Sequence, residues 1–588
     1  MSSIAYILSD LMGQAFAALD LPAELGVVRV SDRPDLAQFQ CNGAMAAAKV
    51  AKKPPRAIAE DIAARLQENP IFAKVEVAGP GFINLNVTHD YLAQHIQTYG
   101  RDAHCGAARL SAPQTIVLDY GGPNVAKAMH VGHLRSSIIG DCLRRIFDFA
   151  GYKAYGDVHM GDWGLPMGQV LSELQLMHPD WVYFDDAFTG DYPTESPVSM
   201  DDLAEIYPRA SGACKEDADR LKLARDITAK LQDGHRGYRA LWRHFVDVSI
   251  AGMKGNFDAL NVHFDLWLGE SDAHDTIVPM VDALKEQGLA ETSDGALVVS
   301  VDQDDDKKEM PPLILYKSDG AVMYGTTDLA TIVDRMRDYS PAQIIYVVDQ
   351  RQSLHFEQVF RAARKGGIVT PDTTLFHAGF GTMNGTDGKP FKTRAGGVMK
   401  LEDLIAMAVD KATARLNEAD IASDFSAEER SDIARKVGIA ALKFADLHNN
   451  RSSDYVFDLD RMTAFEGKTG PYLLYQVVRI TSLLRKAQAQ GLSPSETVTL
   501  QDDDAALALM LAEFPDHFAL AMQNYTPHVL CDYAYKLAQA FSSFYSKCHI
   551  LSETDEQLRA SRLQLCALTA RQLEVILNLL GIDVPERM

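Results

Sequence analysis

Apolar residues recur at helical spacing over 4–19, and NGAMAAAKVAKKPPRAIAEDIAARL (42–66) predicts two helices broken at Pro54–Pro55, because proline lacks an N–H and clashes inside a helix. FAKVEVAGPGFINLNV (72–87) alternates apolar and polar positions around a Gly-Pro-Gly turn and predicts a hairpin. Together these make 1–110 a small α/β unit. After a linker at 109–114, TIVLDY (115–120) predicts a buried strand. Apolar positions at 134, 138, 139, 142, 143, 146 and 147 then follow a helical period up to Gly151, and 152–160 predicts the next strand. Strand, helix and strand in this order form a βαβ unit. The stretch 185–320 is charged and without a clear period, which predicts an irregular insertion with DQDDDKKEM (302–310) exposed. The sheet pattern resumes at 342–349, with a helix over 354–364. From 425 onward, 431–450, 472–490, 505–514, 528–548 and 564–581 are successive helical patterns, as in an all-α bundle. The expected architecture is therefore α/β: a Rossmann-like parallel sheet over 111–424 with an insertion at 185–320, a small N-terminal α/β domain over 1–110, and a helical domain over 425–588.

Composition narrows this picture. A chain of 588 residues, 47% hydrophobic, supports several domains with sizeable cores. The apolar runs are shorter than a membrane span requires, and the first twenty residues lack a basic n-region. Seven scattered cysteines form no metal or redox motif and predict a reducing, cytoplasmic setting. The net charge of −23 argues against non-specific nucleic-acid binding, but a local basic face can sit on an acidic body. Lys49, Lys52, Lys53 and Arg56 form one such cluster, either a solvated face or a nucleic-acid contact.

The chemistry concentrates in LDYGGPNVAKAMHVGHLR (118–135), between the first predicted strand and its helix. A helix N-terminus favours phosphate through its unpaired N–H groups and partial positive charge. Imidazoles at His130 and His133 can donate to phosphate oxygens. Gly132 permits close approach, and Lys127 supplies a mobile charge. Such a site stabilises charge during attack on an α-phosphate. A metal-binding pair or two surface histidines are the alternatives. No GxxxxGK[ST] phosphate loop occurs.

HVGH resembles the HIGH signature of class I aminoacyl-tRNA synthetases, and DYGGPNVAKAMHVGHLRSSIIGD (119–141) resembles its arginyl-tRNA synthetase form. VHMGDWG (158–164), YGTTDLA (324–330), YVVDQRQSLHFEQVF (346–360) and GKTGPYLLYQVVRI (467–480) are similar to that family in the same order, across nearly the whole chain. The resemblance implies ligation of L-arginine to tRNA(Arg) through an arginyl-adenylate, with ATP and Mg²⁺ as the substrate complex and no structural metal. His130, His133 and Lys127 would serve the phosphate chemistry. Gly132, His355, Lys389 and Lys392 would meet ATP. Asp119, Tyr324 and Asp328 would hold the substrate guanidinium, and Asn124 and Gln352 its amino end. Carboxylates suit a guanidinium's planar fork of donors, and Tyr324 and Asp328 share a helix face at i and i+4. His159, Asp162 and Trp163 would form the pocket.

The chain departs from the family in two places. GTMNGTDGKPFKTRAGG (381–397) replaces the KMSKS signature, a form shared by many arginyl members, in which a lysine at the Lys127 position is thought to compensate. Gly121–Gly122 stands where the family commonly has serine. The resemblance further implies an N-terminal tRNA-contacting domain and a C-terminal anticodon-binding bundle, with Arg451, Lys468, Arg479, Arg485 and Lys486 as basic candidates and Tyr472 and Tyr475 as stacking candidates. It suits a monomer with no membrane partner. A cysteinyl-type relative would need clustered zinc ligands, absent here. A small nucleotidyltransferase would not need the bundle. An inactive tRNA-binding synthetase relative, or another class I synthetase, remains the alternative.

Overall fold

The computed structural model describes residues 3–33, 35–385, 387–389, 391, 399–419, 421 and 424–588. Lys392, expected above to meet ATP, lies outside the described residues.

The N-terminal unit is an antiparallel four-stranded sheet in the order Val28–Val30, Phe39–Cys41, Phe82–Val87, Phe72–Ala78. Helices Ile4–Ala17, Gly43–Ala51, Pro55–Leu66 and His89–Arg101 accompany it. The break between the second and third comes where Lys52 turns left-handed and Pro55 takes the first helical position, where its missing N–H costs nothing.

The catalytic sheet has four strands, all parallel: β1 (Thr115–Asp119), β2 (Lys153–Asp157), β3 (Gln343–Tyr346) and β4 (Thr374–His377), in the spatial order β4-β3-β1-β2. Helix α1 (Gly132–Phe149) links β1 to β2, and α2 (Tyr324–Tyr339) and α3 (Ser353–Lys365) flank β3 in sequence. Side chains on β3 alternate between two cores. Ile345 and Val347 join the core shared with α1, whereas Ile344 and Tyr346 join a second core with α2 and α3. That alternation covers the sheet on both faces. The chain runs from β1 to one side and from β3 to the other, so the crevice between their carboxyl ends is the topological switch point, where open α/β sheets bind ligands.

The insertion is more regular than its sequence suggests. It contains helices Met200–Glu216, Ala218–Gln232, Arg236–Ala259 and His274–Glu286, and an antiparallel sheet of Ala290–Ser293, Ala296–Val299 and Leu313–Tyr316. Prolines at 208 and 279 inside two of these helices, together with dense charge, obscure their period. Most of 302–310 is exposed, as expected.

Helices Ala427–Leu447, Gly470–Ala489, Asp502–Ala512, Phe514–Gln523, His528–Lys547 and Glu556–Leu579 form the bundle. The segment Asp502–Gln523 is long and apolar enough to cross a membrane, yet here it is two helices with half its apolar window buried. Buried polar contacts join the bundle to the catalytic domain and its insertion. Arg135 on α1 pairs with Asp446 at 3.1 Å, and Lys443 donates to the carbonyls of Asn261 and Gly581 at 3.1 and 2.8 Å. All seven cysteines are buried and free, and burial pushes every thiol's pKa up.

Candidate active site

At the end of β1 the chain turns through Gly121 (φ 86°) and Gly122 (φ 50°). Both are left-handed, which accounts for glycine where a serine is common in the resembling family. The Gly121 N–H donates to Ser136 Oγ at 2.9 Å, and that hydroxyl donates to the Val347 carbonyl at 2.6 Å. Ser136 thus draws the ends of β1 and β3 together at the switch point. A cleft of about 490 Å³ opens there, walled by Gly122, His130, Gly132, His133, Val348 and Gln352 among others.

The rings of His130 and His133 lie against each other, tilted by 35°, with centroids 4.0 Å apart. The His130 N–H donates to His133 Nδ1, and the Gly132 N–H donates to His130 Nδ1, both at 3.1 Å. Each ring is thereby fixed with its proton on Nε2. Burial lowers both pKa values, that of His133 to about 3, and the neighbouring Lys127 charge lowers them further. The pair is therefore neutral. Among the described residues neither Nε2 has a hydrogen-bond partner. The expectation that backbone N–H groups would hold phosphate is modified: those of Gly132, His133 and Leu134 are consumed within the turn, and the imidazoles carry donors outward in their place. The strip 129–131 also pairs with 399–401, through Val131 N–H to Met399 O at 3.1 Å and Leu401 N–H to Met129 O at 3.0 Å. The chain at 399–401 is thereby fastened to the histidine turn.

Lys127 does not wall this cleft. It lies in an adjoining cavity of about 190 Å³, its ammonium 4.5 Å from the Tyr207 ring centroid. Asn124 packs on Gly161, whose backbone it pairs with. A Cβ at 161 would stand 2.4 Å from Asn124 Oδ1, so this approach requires glycine. Lys389 is exposed. Gln352 is exposed on the cleft's rim.

Tyr324 opens α2 and is 67% exposed rather than a core aromatic. Asp328, one turn on, accepts from His355 Nε2 at 2.5 Å. His355 is thereby joined to the carboxylate on α2. Asp119 is buried, and its carboxylate is taken by Arg335 at 2.6 Å; the same Nη2 binds Asp157 at 2.6 Å. Asp119, Asp157 and Tyr346 occupy the same register on β1, β2 and β3, and Arg335 also lies over the Tyr346 ring. One guanidinium from α2 thus ties three strand ends together. Tyr324, Asp328 and Arg335 follow i, i+4, i+11 and share a face of α2. Asp119, Asp157 and His159 stand close enough to hold a cation, but Arg335 already fills that role, so the donor set does not fit a resident metal.

Sequence reasoning missed Glu270. Its carboxyl has no hydrogen-bond or ion-pair partner among the described residues. Burial pushes it up to about 7, with Asp162 and Asp328 adding repulsion and His159 opposing. It also weighs on Tyr324. An unpartnered carboxyl that feels both a tyrosine and a second carboxylate has the chemistry to accept a planar cation. Behind it, Asp162 accepts from the Ser271 N–H (3.0 Å) and hydroxyl (2.6 Å), and Trp163 Nε1 donates to His274 Nδ1 at 3.1 Å.

Residues 98–459 match the family described as tRNA synthetases class I (R), catalytic domain. The chain belongs to the arginyl-tRNA synthetase family. Residues 3–87 match the arginyl tRNA synthetase N terminal domain and 473–588 the DALR anticodon binding domain. Relatives named arginine–tRNA ligase from Maricaulis maris (52% identical over 589 residues) and Hyphomonas neptunium (53% over 590) are covered in full and cover this chain in full. A solved arginyl-tRNA synthetase from Plasmodium falciparum, 25% identical, covers 100% of this chain, which covers 98% of that one, with a TM-score of 0.82. The Rossmann-like domain, the small N-terminal domain and the helical anticodon-binding bundle are the architecture of this family.

Proposed function

We propose that the chain ligates L-arginine to tRNA(Arg) in two steps, and that the neutral histidine pair beside an acidic pocket is the observation that carries the reading. In the first step the arginine carboxylate attacks the α-phosphorus of ATP, supplied with Mg²⁺ as its substrate complex. A carboxyl–phosphate bond forms, and the bond to pyrophosphate breaks. His130 and His133 donate Nε2–H to the phosphate oxygens as charge builds there, a fixed arrangement that needs no reorganisation at the moment of reaction. Gly132 leaves the turn open to the nucleotide, and Lys127, with Lys389 and Lys392 of the glycine-rich segment, meets its phosphates. Glu270, Asp328 and Tyr324 hold the substrate guanidinium, with His355 orienting Asp328. Arg335 leaves Asp119 a supporting rather than a direct part. Asn124 and Gln352 face the amino end. In the second step a terminal ribose hydroxyl of the tRNA attacks the carbonyl, and AMP leaves. No group of the chain becomes covalently attached, so positioning supplies much of the rate.

We assign 1–110 to tRNA contact, 111–424 to catalysis with the insertion at 185–320, and 425–588 to the anticodon. Lys49, Lys52, Lys53 and Arg56 are exposed and suit a phosphate backbone. Arg451 does not, since it donates to the carbonyls of Gly379 and Tyr525 inside the protein. A cytoplasmic monomer fits buried, reduced cysteines and a single chain holding both modules. The test is ATP–pyrophosphate exchange with each of the twenty amino acids, with and without tRNA. Exchange with arginine alone supports the reading; exchange with another amino acid, or none from folded protein, overturns it.

A further inference from the structure

Tyr207 lies on the insertion helix Met200–Glu216, distant in sequence from every residue given a part above. Its ring faces the Lys127 ammonium at 4.5 Å from the centroid. Met200, Asp201 and Ala204 of the same helix line the cavity that Lys127 enters, so one helical face forms the wall opposite this lysine. The backbone of Lys127 is set from the other side. Ala126 adopts a left-handed φ of 63°, a costly conformation for a residue with a Cβ, and its N–H is held by Ser249 Oγ at 2.9 Å. From that turn a four-carbon side chain reaches out with several free torsions, and its charge is strong enough at His130 and His133 to weigh on both rings. A flexible ammonium stays in one place only if something holds it, and an aromatic face within about 6 Å is such a holder.

We propose that Tyr207 is a positioning residue for ATP, its ring holding the Lys127 ammonium in the cavity next to the histidine turn so that the insertion helix takes part in nucleotide binding. The proposal rests on reading Lys127 as a phosphate contact. It is tested by measuring KM for ATP and for arginine in tRNA-supported pyrophosphate exchange with Y207F, Y207L, K127M and the double variant Y207L/K127M. Loss of the ring in Y207L raises the ATP KM about five- to tenfold and leaves the arginine KM in place. Y207F, which keeps the ring, stays within about twofold of wild type. In the K127M background, Y207L adds nothing, because the cation it served is gone. The unmoved arginine KM doubles as evidence of an intact fold. Equal changes in both KM values for Y207L, no change in either, or Y207F behaving as Y207L would overturn the role of the ring. An unchanged ATP KM in K127M would instead overturn the reading of Lys127, and the proposal with it.

Discussion

Replacing Glu270 with glutamine separates what this carboxyl does to the fold from what it does for the substrate. Its pKa stands near 7 in the folded chain against an ordinary 4.5, chiefly because burial penalises the ionised form. Between those two values the folded state keeps a proton that the unfolded chain has released, so stability falls as pH rises through this window. The full cost is present above it, and none is present below it. At 1.36 kcal/mol per pKa unit the cost comes to about 3 kcal/mol. Glutamine cannot ionise. E270Q is therefore expected to be about 3 kcal/mol more stable than wild type at about pH 8 without arginine, the difference closing toward pH 4.5. Arginine binding should move the other way. A carboxylate facing a guanidinium contributes about 1.5–3 kcal/mol, so the arginine KM should rise about 10- to 100-fold while the ATP KM stays. All four tryptophans, Trp163, Trp181, Trp242 and Trp267, lie in the catalytic domain and its insertion, so urea unfolding followed by their fluorescence reports this region, and pyrophosphate exchange gives the KM values. A variant less stable than wild type at high pH, or one with an unchanged arginine KM, would refute the reasoning.

Replacing His133 with alanine should slow adenylate formation about 10²- to 10³-fold with tRNA affinity retained; equal loss of both in a filter-binding assay would point to misfolding instead. R335M removes the cation from two buried carboxylates and should cost about 3–5 kcal/mol, read as an earlier urea midpoint of the same tryptophan signal. G161A drives a methyl against Asn124 Oδ1 and should raise the arginine KM far more than the ATP KM. tRNA binding should weaken steeply with salt, because phosphate neutralisation supplies it; a flat titration would contradict a localised basic face on this acidic chain.

The histidine turn was legible because everything that makes it is local: an apolar strand, a glycine-rich turn, two imidazoles and a helical period within thirty-five residues. The pairing of Tyr324 with Asp328 was legible for the same reason, since one helical turn separates them. Glu270 was not. It comes directly after two short irregular pairings, Asp157 with Leu266 and Met160 with Gly269, and carries no period of its own. Only the fold brings it to Tyr324, some fifty residues on. Arg335 was equally silent, because its meaning depends on Asp119 and Asp157 ending adjacent parallel strands in register. The same bond shows why Asp119 looked like a ligand from sequence: an acid ending a buried strand needs a cation, and here the chain provides it from within. The state of the histidines also lay beyond the pattern, since two backbone N–H bonds decide which nitrogen keeps its proton.

The burial of all seven cysteines has a consequence for spectroscopy. With every thiol inside and its ionisation suppressed, maleimide dyes find no partner on the folded surface, because the thiolate is the reacting species. A single cysteine placed at the exposed Lys389 would then take the label alone. Its emission would follow nucleotide arrival at the glycine-rich segment in real time, with no cysteine removed from the core to make the experiment possible.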